Sequence, residues 1–263
     1  MTTSHPLFDR LRAATGGGPI VVAHRGDSMH HPENTLAAFA AARDLGVVMQ
    51  EFDVQTTRDG VLVCMHDESL DRTTDACQRL GPGALLAHAT WAEVQRLDAG
   101  SWFDQQHAGE RVPTLATALA TMLPRCVPLI EHKTGTEVAY LDALRSAGAM
   151  QACIVQSFDW QFVTTVRSLC PDLAVAVLGP TDRFRTPSSE ALAIAKQSGA
   201  GMVHWQANAL TRRDVERIHA ADMLVCTYTT DDELGWAGGK ALGFDAMCTN
   251  DPAAALRIGG GSS

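Results

Sequence analysis

The sequence predicts an α/β fold, a TIM (β/α)8 barrel with a small insertion after the second strand, and three observations lead to this prediction. Eight short apolar runs, several rich in valine and isoleucine, alternate with longer amphipathic stretches, as expected for parallel βαβ units. The chain length of 263 residues is close to the roughly 250 residues typical of such barrels. One polar and poorly periodic segment, 67–112, interrupts the alternation.

Each predicted strand is a short apolar run, of which the first, IVVAH at 20–24, is apolar up to its histidine. The eight predicted barrel strands are 20–24, 47–54, 127–133, 152–158, 173–179, 200–205, 223–228 and 244–248. A further strand is predicted within TTRDGVLVCMH, 56–66. The Asp-Gly pair before it indicates a hairpin.

The predicted helices have apolar residues at helical spacing. The first, NTLAAFAAARDLG at 34–46, could be capped by Asn34 or Thr35 and stops at Gly46. The helices predicted between and after the barrel strands are 34–46, 114–123, 136–148, 159–171, 188–199, 211–222, 231–239 and 251–258. The glycine-rich tail GGGSS is expected to be a frayed end.

Composition limits the partners of the chain. A formal net charge of -9 and a pI near 5.5 give no general attraction to nucleic acid or anionic lipid. The chain has no apolar run long enough to span a membrane, so no stable membrane insertion is expected, and its N-terminal segment does not predict a signal peptide. Seven cysteines without a Cys-x-x-Cys motif favour a reducing cytoplasmic location over a disulfide framework.

We expect one domain over 1–263, with 67–112 lying over the barrel top. This insertion contains aromatic residues within a polar stretch. Trp91 is expected to anchor the insertion through a small apolar core. Trp102 and Phe103 follow a glycine, which would permit a sharp turn that places them over the pocket mouth.

The C-terminal ends of the predicted strands carry many polar residues, and this is the end of a barrel where chemistry takes place. Glu51 and Asp53 are two residues apart and therefore point to the same side of a strand. Together with Glu131 they would place three carboxylates near the barrel axis, where they repel one another unless a cation lies between them. Oxygen ligands favour Mg²⁺ or Ca²⁺ over zinc.

The same strand ends supply groups for acid–base chemistry and for binding an anion. His24 and His66 are suited to act as acid and base near neutral pH. Arg25 and Lys133 provide the positive charge that a phosphate group requires. The sequence therefore predicts metal-assisted chemistry on a phosphate ester.

The motifs AHRG, HPENTLAAF, EFDVQTTRDGVLVCMHDESLDRTT, LDAGSWF, VPTL, IEHK, QSFD and TNDP occur in this order. With them the chain resembles the glycerophosphodiester phosphodiesterase family over nearly its whole length. The resemblance implies a TIM barrel and the metal-dependent hydrolysis of small glycerophosphodiesters to sn-glycerol 3-phosphate and an alcohol. The implied site consists of His24 and His66 as the acid–base pair, Arg25 and Lys133 as phosphate ligands, Glu33 as a polar support, and Glu51, Asp53 and Glu131 as ligands of a divalent cation.

The sequence departs from the family pattern at Gln50, at His132 and at Tyr228, which stands where the family usually has a tryptophan that walls the pocket. We expect Tyr228, Gln156, Trp102 and Phe103 to form the pocket wall here.

Three other functions are compatible with parts of the pattern. The first is a lysophospholipase D-like or sphingomyelinase D-like phosphodiesterase, which the expected cytoplasmic location disfavours. The second is a non-catalytic phosphoester-binding barrel, which should lack a histidine or a carboxylate that this chain retains. The third is a zinc amidohydrolase, which would need a His-x-His pair where this chain has His24-Arg25-Gly26.

Overall fold

The computed structural model describes residues 5–259, and its centre is a closed barrel of eight parallel strands. The strands are β1 (Ile20–His24), β2 (Met49–Thr56), β3 (Leu62–Cys64), β4 (Val127–His132), β5 (Ile154–Ser157), β6 (Ala174–Gly179), β7 (Met202–Gln206), β8 (Leu224–Tyr228) and β9 (Ala246–Thr249). Their hydrogen-bonded order is β1-β9-β8-β7-β6-β5-β4-β2-β3, and pairing of β1 with β2 closes the barrel. β3 lies outside the barrel as the antiparallel hairpin partner of β2. The predicted TIM barrel is thus confirmed.

The helices are α1 (Pro6–Ala14), α2 (Leu36–Asp44), α3 (Ala76–Arg79), α4 (Trp91–Val94), α5 (Leu115–Met122), α6 (Glu137–Ser146), α7 (Trp160–Leu169), α8 (Ser189–Gln197), α9 (Arg212–Ala220), α10 (Glu233–Leu242) and α11 (Pro252–Gly259). Of these, α2 and α5 to α11 connect or follow the barrel strands and form the outer layer, whereas α1 precedes β1 and α3 and α4 lie in the insertion. Of the two candidate caps of α2, Thr35 is the one whose side chain accepts the N–H of Ala38. The tail predicted to fray lies largely outside the described residues.

Along each strand, outward-facing and inward-facing residues alternate, and the outward-facing ones pack against the helices. In β2, Phe52 faces outward and lies 5.4 Å from Phe39 of α2, measured between ring centroids. In β4, His132 also faces outward and stacks on Phe162 of α7 at 3.5 Å. The residues on either side of Phe52 and His132 therefore point into the barrel.

Helix α1 closes the N-terminal end of the barrel. Its buried residues Leu7, Phe8 and Leu11 belong to the same apolar cluster as the inward-facing residues of the lower strands. A Cβ on Gly201, just before β7, would collide with the ring of Phe8, so only glycine fits there. The sequence pattern did not predict this helix, although Pro6 at its first turn is a recognised start signal.

The segment 67–112 contains α3, α4 and short turns, and its apolar residues form a cluster together with Val63 and Met65. Trp91 is partly buried against this cluster. The carboxylate of Asp98 accepts the backbone N–H groups of Gly100, Ser101 and Gly109, which folds residues 98–109 into a compact loop. Among residues 5–259, no helix combines the length and the apolar content needed to cross a bilayer.

Candidate active site

The strand register brings the predicted site residues to one end of the barrel. His24 of β1 lies opposite Glu51 of β2, and Asp53 of β2 lies opposite Glu131 of β4. Inward-facing residues of neighbouring strands converge on the barrel axis. Ligand oxygens of the three carboxylates accordingly lie within 4.8 Å of one another, in buried positions.

Two positively charged side chains, those of Lys133 and Arg25, contact these carboxylates. Nζ of Lys133 is 2.6 Å from Oε1 of Glu131 and 3.1 Å from Oδ1 of Asp53. Nε of Arg25 is 3.2 Å from Oδ2 of Asp53, and its Nη1 donates to Oε1 of Glu33 at 2.8 Å. The site therefore alternates negative and positive groups, with Asp53 shared between both cations.

The buried carboxylates Asp53 and Glu51 differ in their electrostatic surroundings. Burial alone would raise the pKa of Asp53, but Lys133 and then Arg25 outweigh it and lower that pKa to about 2. Burial raises the pKa of Glu51 well above its ordinary value, and the charges of Asp53 and Glu131 add to this effect. Oε2 of Glu51 is buried and has no hydrogen-bond partner among residues 5–259.

The unpartnered oxygen of Glu51 and its two carboxylate neighbours fit a divalent cation. A cation among them would compensate the charge that raises the pKa of Glu51, and an all-oxygen ligand set suits Mg²⁺ or Ca²⁺. Glu51, Asp53 and Glu131 are thus the residues that could hold the metal.

His24 is held in one tautomer by Asn250. Its Nδ1 lies 2.7 Å from Oδ1 of Asn250, whose Nδ2 donates to Asp231. Because the amide oxygen accepts, Nδ1 carries the hydrogen and Nε2 keeps its lone pair. That Nε2 is 3.8 Å from Oε2 of Glu51. Burial and the neighbouring charge of Arg25 lower the pKa of His24 to about 4, so the ring is a neutral base at neutral pH.

His66 is held by a carboxylate instead. Its Nδ1 lies 2.6 Å from Oδ1 of Asp67, and Arg72 donates to Oδ2 of the same group at 2.6 Å. Hydrogen bonds from Arg72, the largest cause, hold the pKa of Asp67 well below its ordinary value. Arg72 also donates to Glu33, which links His66 to the side chain that positions Arg25.

The loop after β1 makes a sharp turn at Gly26. Gly26 has a φ of +83°, and a Cβ there would lie 2.6 Å from the carbonyl carbon of Ala38. Arg25 and Asn34 are also left-handed, each with a φ of 57°. Such a backbone is uncommon for residues other than glycine and is often found at functional sites.

The predicted wall residues lie in different surroundings. The hydroxyl of Tyr228 donates to the carbonyl of Gly179, and its ring faces half-exposed Phe158 at 6.5 Å. Gln156 is fully buried and accepts a hydrogen bond from His204 at 2.8 Å. Its side chain lies within the barrel interior rather than at an open surface.

The two aromatic residues of the insertion pack as a pair. The ring of Trp102, 38% exposed, lies edge-on to Phe103 at 5.7 Å. Phe103 contacts His107, and His107 contacts His31 in the loop after β1. Gly100 is required because a Cβ there would collide with the His107 carbonyl oxygen.

Several residues that orient the site were not assigned to it from the sequence. Asn34 donates to Asp53 at 3.0 Å, and Asn250, Asp67 and Arg72 hold the two histidines. All four lie within the motifs HPENT, HDESLDRTT and TNDP. Their place within these motifs was the only available signal.

Comparisons with known proteins agree with this architecture. The model of the glycerophosphoryl diester phosphodiesterase family matches residues 24–254. A glycerophosphodiester phosphodiesterase of Bacillus subtilis is 31% identical over 254 residues, which cover 89% of this chain and 84% of that protein. Another, of Caldanaerobacter subterraneus, is 37% identical over 166 residues, covering 60% of this chain and 66% of that protein.

Solved structures of similar proteins have the same fold. A phosphodiesterase of Oleispira antarctica, in complex with the product sn-glycerol-3-phosphate, superimposes with a TM-score of 0.83 at 27% identity. The match covers 91% of this chain and 96% of that one. A glycerophosphodiester phosphodiesterase of Agrobacterium tumefaciens gives a TM-score of 0.76 at 26% identity, over 89% of this chain and 97% of that one.

Proposed function

The chain belongs to the glycerophosphoryl diester phosphodiesterase family and is a phosphodiesterase, and from this premise we propose how its residues act. It hydrolyses small glycerophosphodiesters to sn-glycerol 3-phosphate and an alcohol, with a divalent cation held by Glu51, Asp53 and Glu131. The product bound to the Oleispira antarctica protein supports the glycerol phosphate part of this proposal.

Arg25 and Lys133 bind the phosphate of the substrate. Each already lies against Asp53, and fixed cations beside a phosphoryl group neutralise charge that develops during its transfer. Glu33 holds the guanidinium of Arg25 through the hydrogen bond at 2.8 Å. A divalent cation at the three carboxylates would supply Lewis acidity toward a phosphoryl oxygen and help to orient the ester.

The two histidines divide the proton transfers. The neutral His24 takes a proton at Nε2 from the attacking hydroxyl. Attack by water gives sn-glycerol 3-phosphate directly, whereas attack by the glycerol hydroxyl of the substrate gives a cyclic phosphodiester that a water molecule then opens to the same product. His66 gives a proton from its Nε2 to the oxygen of the leaving alcohol as the phosphorus–oxygen bond breaks. The carboxylate of Asp67, 2.6 Å from Nδ1, holds the ring of His66 in the orientation for this transfer.

The observation that supports this function most directly is the cluster of three buried carboxylates whose oxygens lie within 4.8 Å, next to a neutral histidine. The test is an assay of the metal-depleted protein on glycerophosphocholine, glycerophosphoethanolamine and lysophosphatidylcholine, with Mg²⁺ and Ca²⁺ added back separately. We expect metal-dependent turnover of the two deacylated substrates. Preferred turnover of the lysolipid would favour the lysophospholipase D-like alternative, and binding without turnover would favour a phosphoester-binding barrel.

The surroundings of the cysteines support a cytoplasmic location of the protein. All seven are free thiols, and four of them are fully buried in the strand-rich core. Such thiols are typical of proteins in a reducing compartment. The partners proposed for the chain are small water-soluble phosphodiesters rather than nucleic acid or membrane surfaces, because its net charge of -9 gives no general attraction to either.

A further inference from the structure

A second group of potential metal ligands lies inside the barrel, apart from the carboxylates. His204 of β7, Cys226 of β8 and Cys248 of β9 are buried, and their ligand atoms all lie within 4.8 Å of one another. His204 and Cys226 are direct partners in the register of β7 and β8. Cys248 lies two residues before Asn250, the residue that holds His24. The group therefore forms a layer directly below the candidate active site.

The ring of His204 is oriented as a ligand would be. Its Nδ1 lies 2.8 Å from Oε1 of Gln156, so Nδ1 carries the hydrogen and Nε2 keeps its lone pair. This Nε2 lies 3.4 Å from Sγ of Cys248. A hydrogen bond that fixes one ring nitrogen and directs the lone pair of the other toward the ligand group is the usual arrangement of histidines that bind metals.

The strand register disfavours a disulfide between the two thiols. Cys226 lies opposite Ala246, which is two residues from Cys248. An offset of two residues between neighbouring strands separates Cα atoms by roughly 8 Å. Disulfides do not form beyond about 7 Å without backbone movement. The sulfur atoms can nevertheless share a bound ion, because their side chains converge.

The charge of the group favours zinc. Zn²⁺ bound to two thiolates and a neutral imidazole makes a site without net charge, which suits the surrounding apolar cluster of Val22, Met202 and Leu224. Binding would release the two thiol protons to solvent. Cu⁺ would leave one uncompensated negative charge, and Mg²⁺ or Ca²⁺ prefer oxygen ligands.

We propose that His204, Cys226 and Cys248 form a buried zinc site, separate from the carboxylates, that joins β7, β8 and β9. β9 pairs with β1, but none of the three strands carries a residue of the ion pairs formed by Arg25, Asp53, Glu131 and Lys133. The site also supports the pocket wall, because the ring of His204 lies edge-on to Tyr228 at 5.2 Å. Its role is structural, and it does not depend on the reaction proposed above.

Cobalt(II) is the spectroscopic probe for this site, because only thiolate ligands give an intense sulfur-to-cobalt charge-transfer band in the near ultraviolet. The full-length protein is unfolded under reducing conditions without metal and refolded with Co²⁺. We expect one equivalent of Co²⁺ with this band, displaced by one equivalent of Zn²⁺ and not by Mg²⁺. Absence of the band from the wild-type protein, or displacement by Cu⁺ but not by Zn²⁺, would overturn the proposal.

Variants assign the band to the three residues. Cys226→Ser and Cys248→Ser should each lose at least half of it, while the control Cys153→Ser should retain it, since Cys153 is equally buried but outside the group. A band of full intensity in either cluster variant would refute the assignment. Should the variants fail to fold, alkylation of the wild-type thiols, mapped by mass spectrometry, gives the same information. Zn²⁺ should slow alkylation of Cys226 and Cys248 at least tenfold, and equal rates would contradict the proposal.

Discussion

The Nδ1 of His24 lies 2.7 Å from the Oδ1 of Asn250, although 226 residues separate the two positions. Strand β9 pairs with β1 to close the barrel, and this closure brings the amide to the ring. Asp231 fixes the amide by accepting from its Nδ2 at 2.8 Å. The arrangement keeps the hydrogen on Nδ1 and the lone pair on Nε2, where we propose that the substrate is deprotonated.

Asn250→Ala should therefore lower kcat about 10- to 100-fold, the range found for residues that orient a site through another side chain. KM should change little, since Asn250 is not among the phosphate-binding residues. Steady-state kinetics on glycerophosphocholine, with thermal melting to verify folding, measure both quantities. A change confined to KM would place Asn250 in substrate binding instead.

The pH dependence of kcat/KM should reflect the low pKa of His24. This pKa is lowered from 6.5 to about 4, and a bound cation would repel the protonated ring and act in the same direction. The base form thus persists well below neutral pH, so the acidic limb that belongs to His24 should lie below about pH 5. A pH–rate profile of the metal-loaded wild type measures the limb. An acidic limb of the kcat/KM profile near pH 6.5 that belongs to His24 would contradict the proposal that the buried ring is neutral.

Glu51→Gln should stabilise the metal-free protein and abolish its stabilisation by metal. The raised pKa of Glu51 means that its favourable contribution is present below the ordinary value of 4.5 and is lost as the pH rises through the raised value. The wild type without metal should therefore lose stability above pH 4.5, and Mg²⁺ or Ca²⁺ should restore it.

Thermal melts against pH, with and without metal, test this expectation. At a metal concentration of 100 times Kd, binding should add about 2.7 kcal/mol to the wild type and nothing to the variant. The control is Glu190→Gln, the same change at a largely exposed carboxylate, which should behave as the wild type does. An equal metal-induced shift in Glu51→Gln would remove Glu51 from the metal site.

Phe8→Ala should destabilise the chain by about 3–5 kcal/mol, because it removes a buried aromatic ring from the closed end of the barrel. Phe8 is 2% exposed and packs against the bare backbone of Gly201. Leu234→Ala, at a position 82% exposed, should change stability by no more than about 0.5 kcal/mol. Denaturant unfolding of both variants gives the comparison, and similar small losses would mean that α1 is not part of the core.

The barrel and the acidic cluster were predictable from the sequence because they depend on short-range periodicity. In β4 the alternation by two places Glu131 inward and His132 outward, so one strand segment specifies both environments. Likewise, Glu51 and Asp53 share a side of β2. The C-terminal end of a parallel strand is also the functional end of this fold, so polar residues that follow an apolar run indicate where the site lies.

The partners of the site residues were not predictable because they come from distant parts of the chain. Nothing near His24 indicates Asn250, and nothing near Gln156 indicates His204. These pairs follow from barrel closure and from the stagger between strands, which single-strand patterns do not determine. Helix α1 was not predicted for a related reason. Its apolar residues pack against the open end of the barrel, and that surface forms only when the strands have closed.

The pair Trp102 and Phe103 should limit access by acylated substrates. The contacts from Phe103 through His107 to His31 connect this pair with the loop that carries Arg25, and Trp102 remains 38% exposed. Replacing both by alanine should raise the kcat/KM for lysophosphatidylcholine relative to glycerophosphocholine by on the order of 10-fold, as expected when apolar contacts are removed from a specificity pocket.

The matched control for this pair is Trp91→Ala. Trp91 packs against the apolar cluster of the insertion, so its loss should lower the melting temperature and leave the substrate ratio unchanged. The double variant should instead change the ratio while its affinity for Mg²⁺, measured by thermal shift, stays that of the wild type. If the ratio of the two kcat/KM values is the same in the double variant, in Trp91→Ala and in the wild type, Trp102 and Phe103 serve only to pack the insertion.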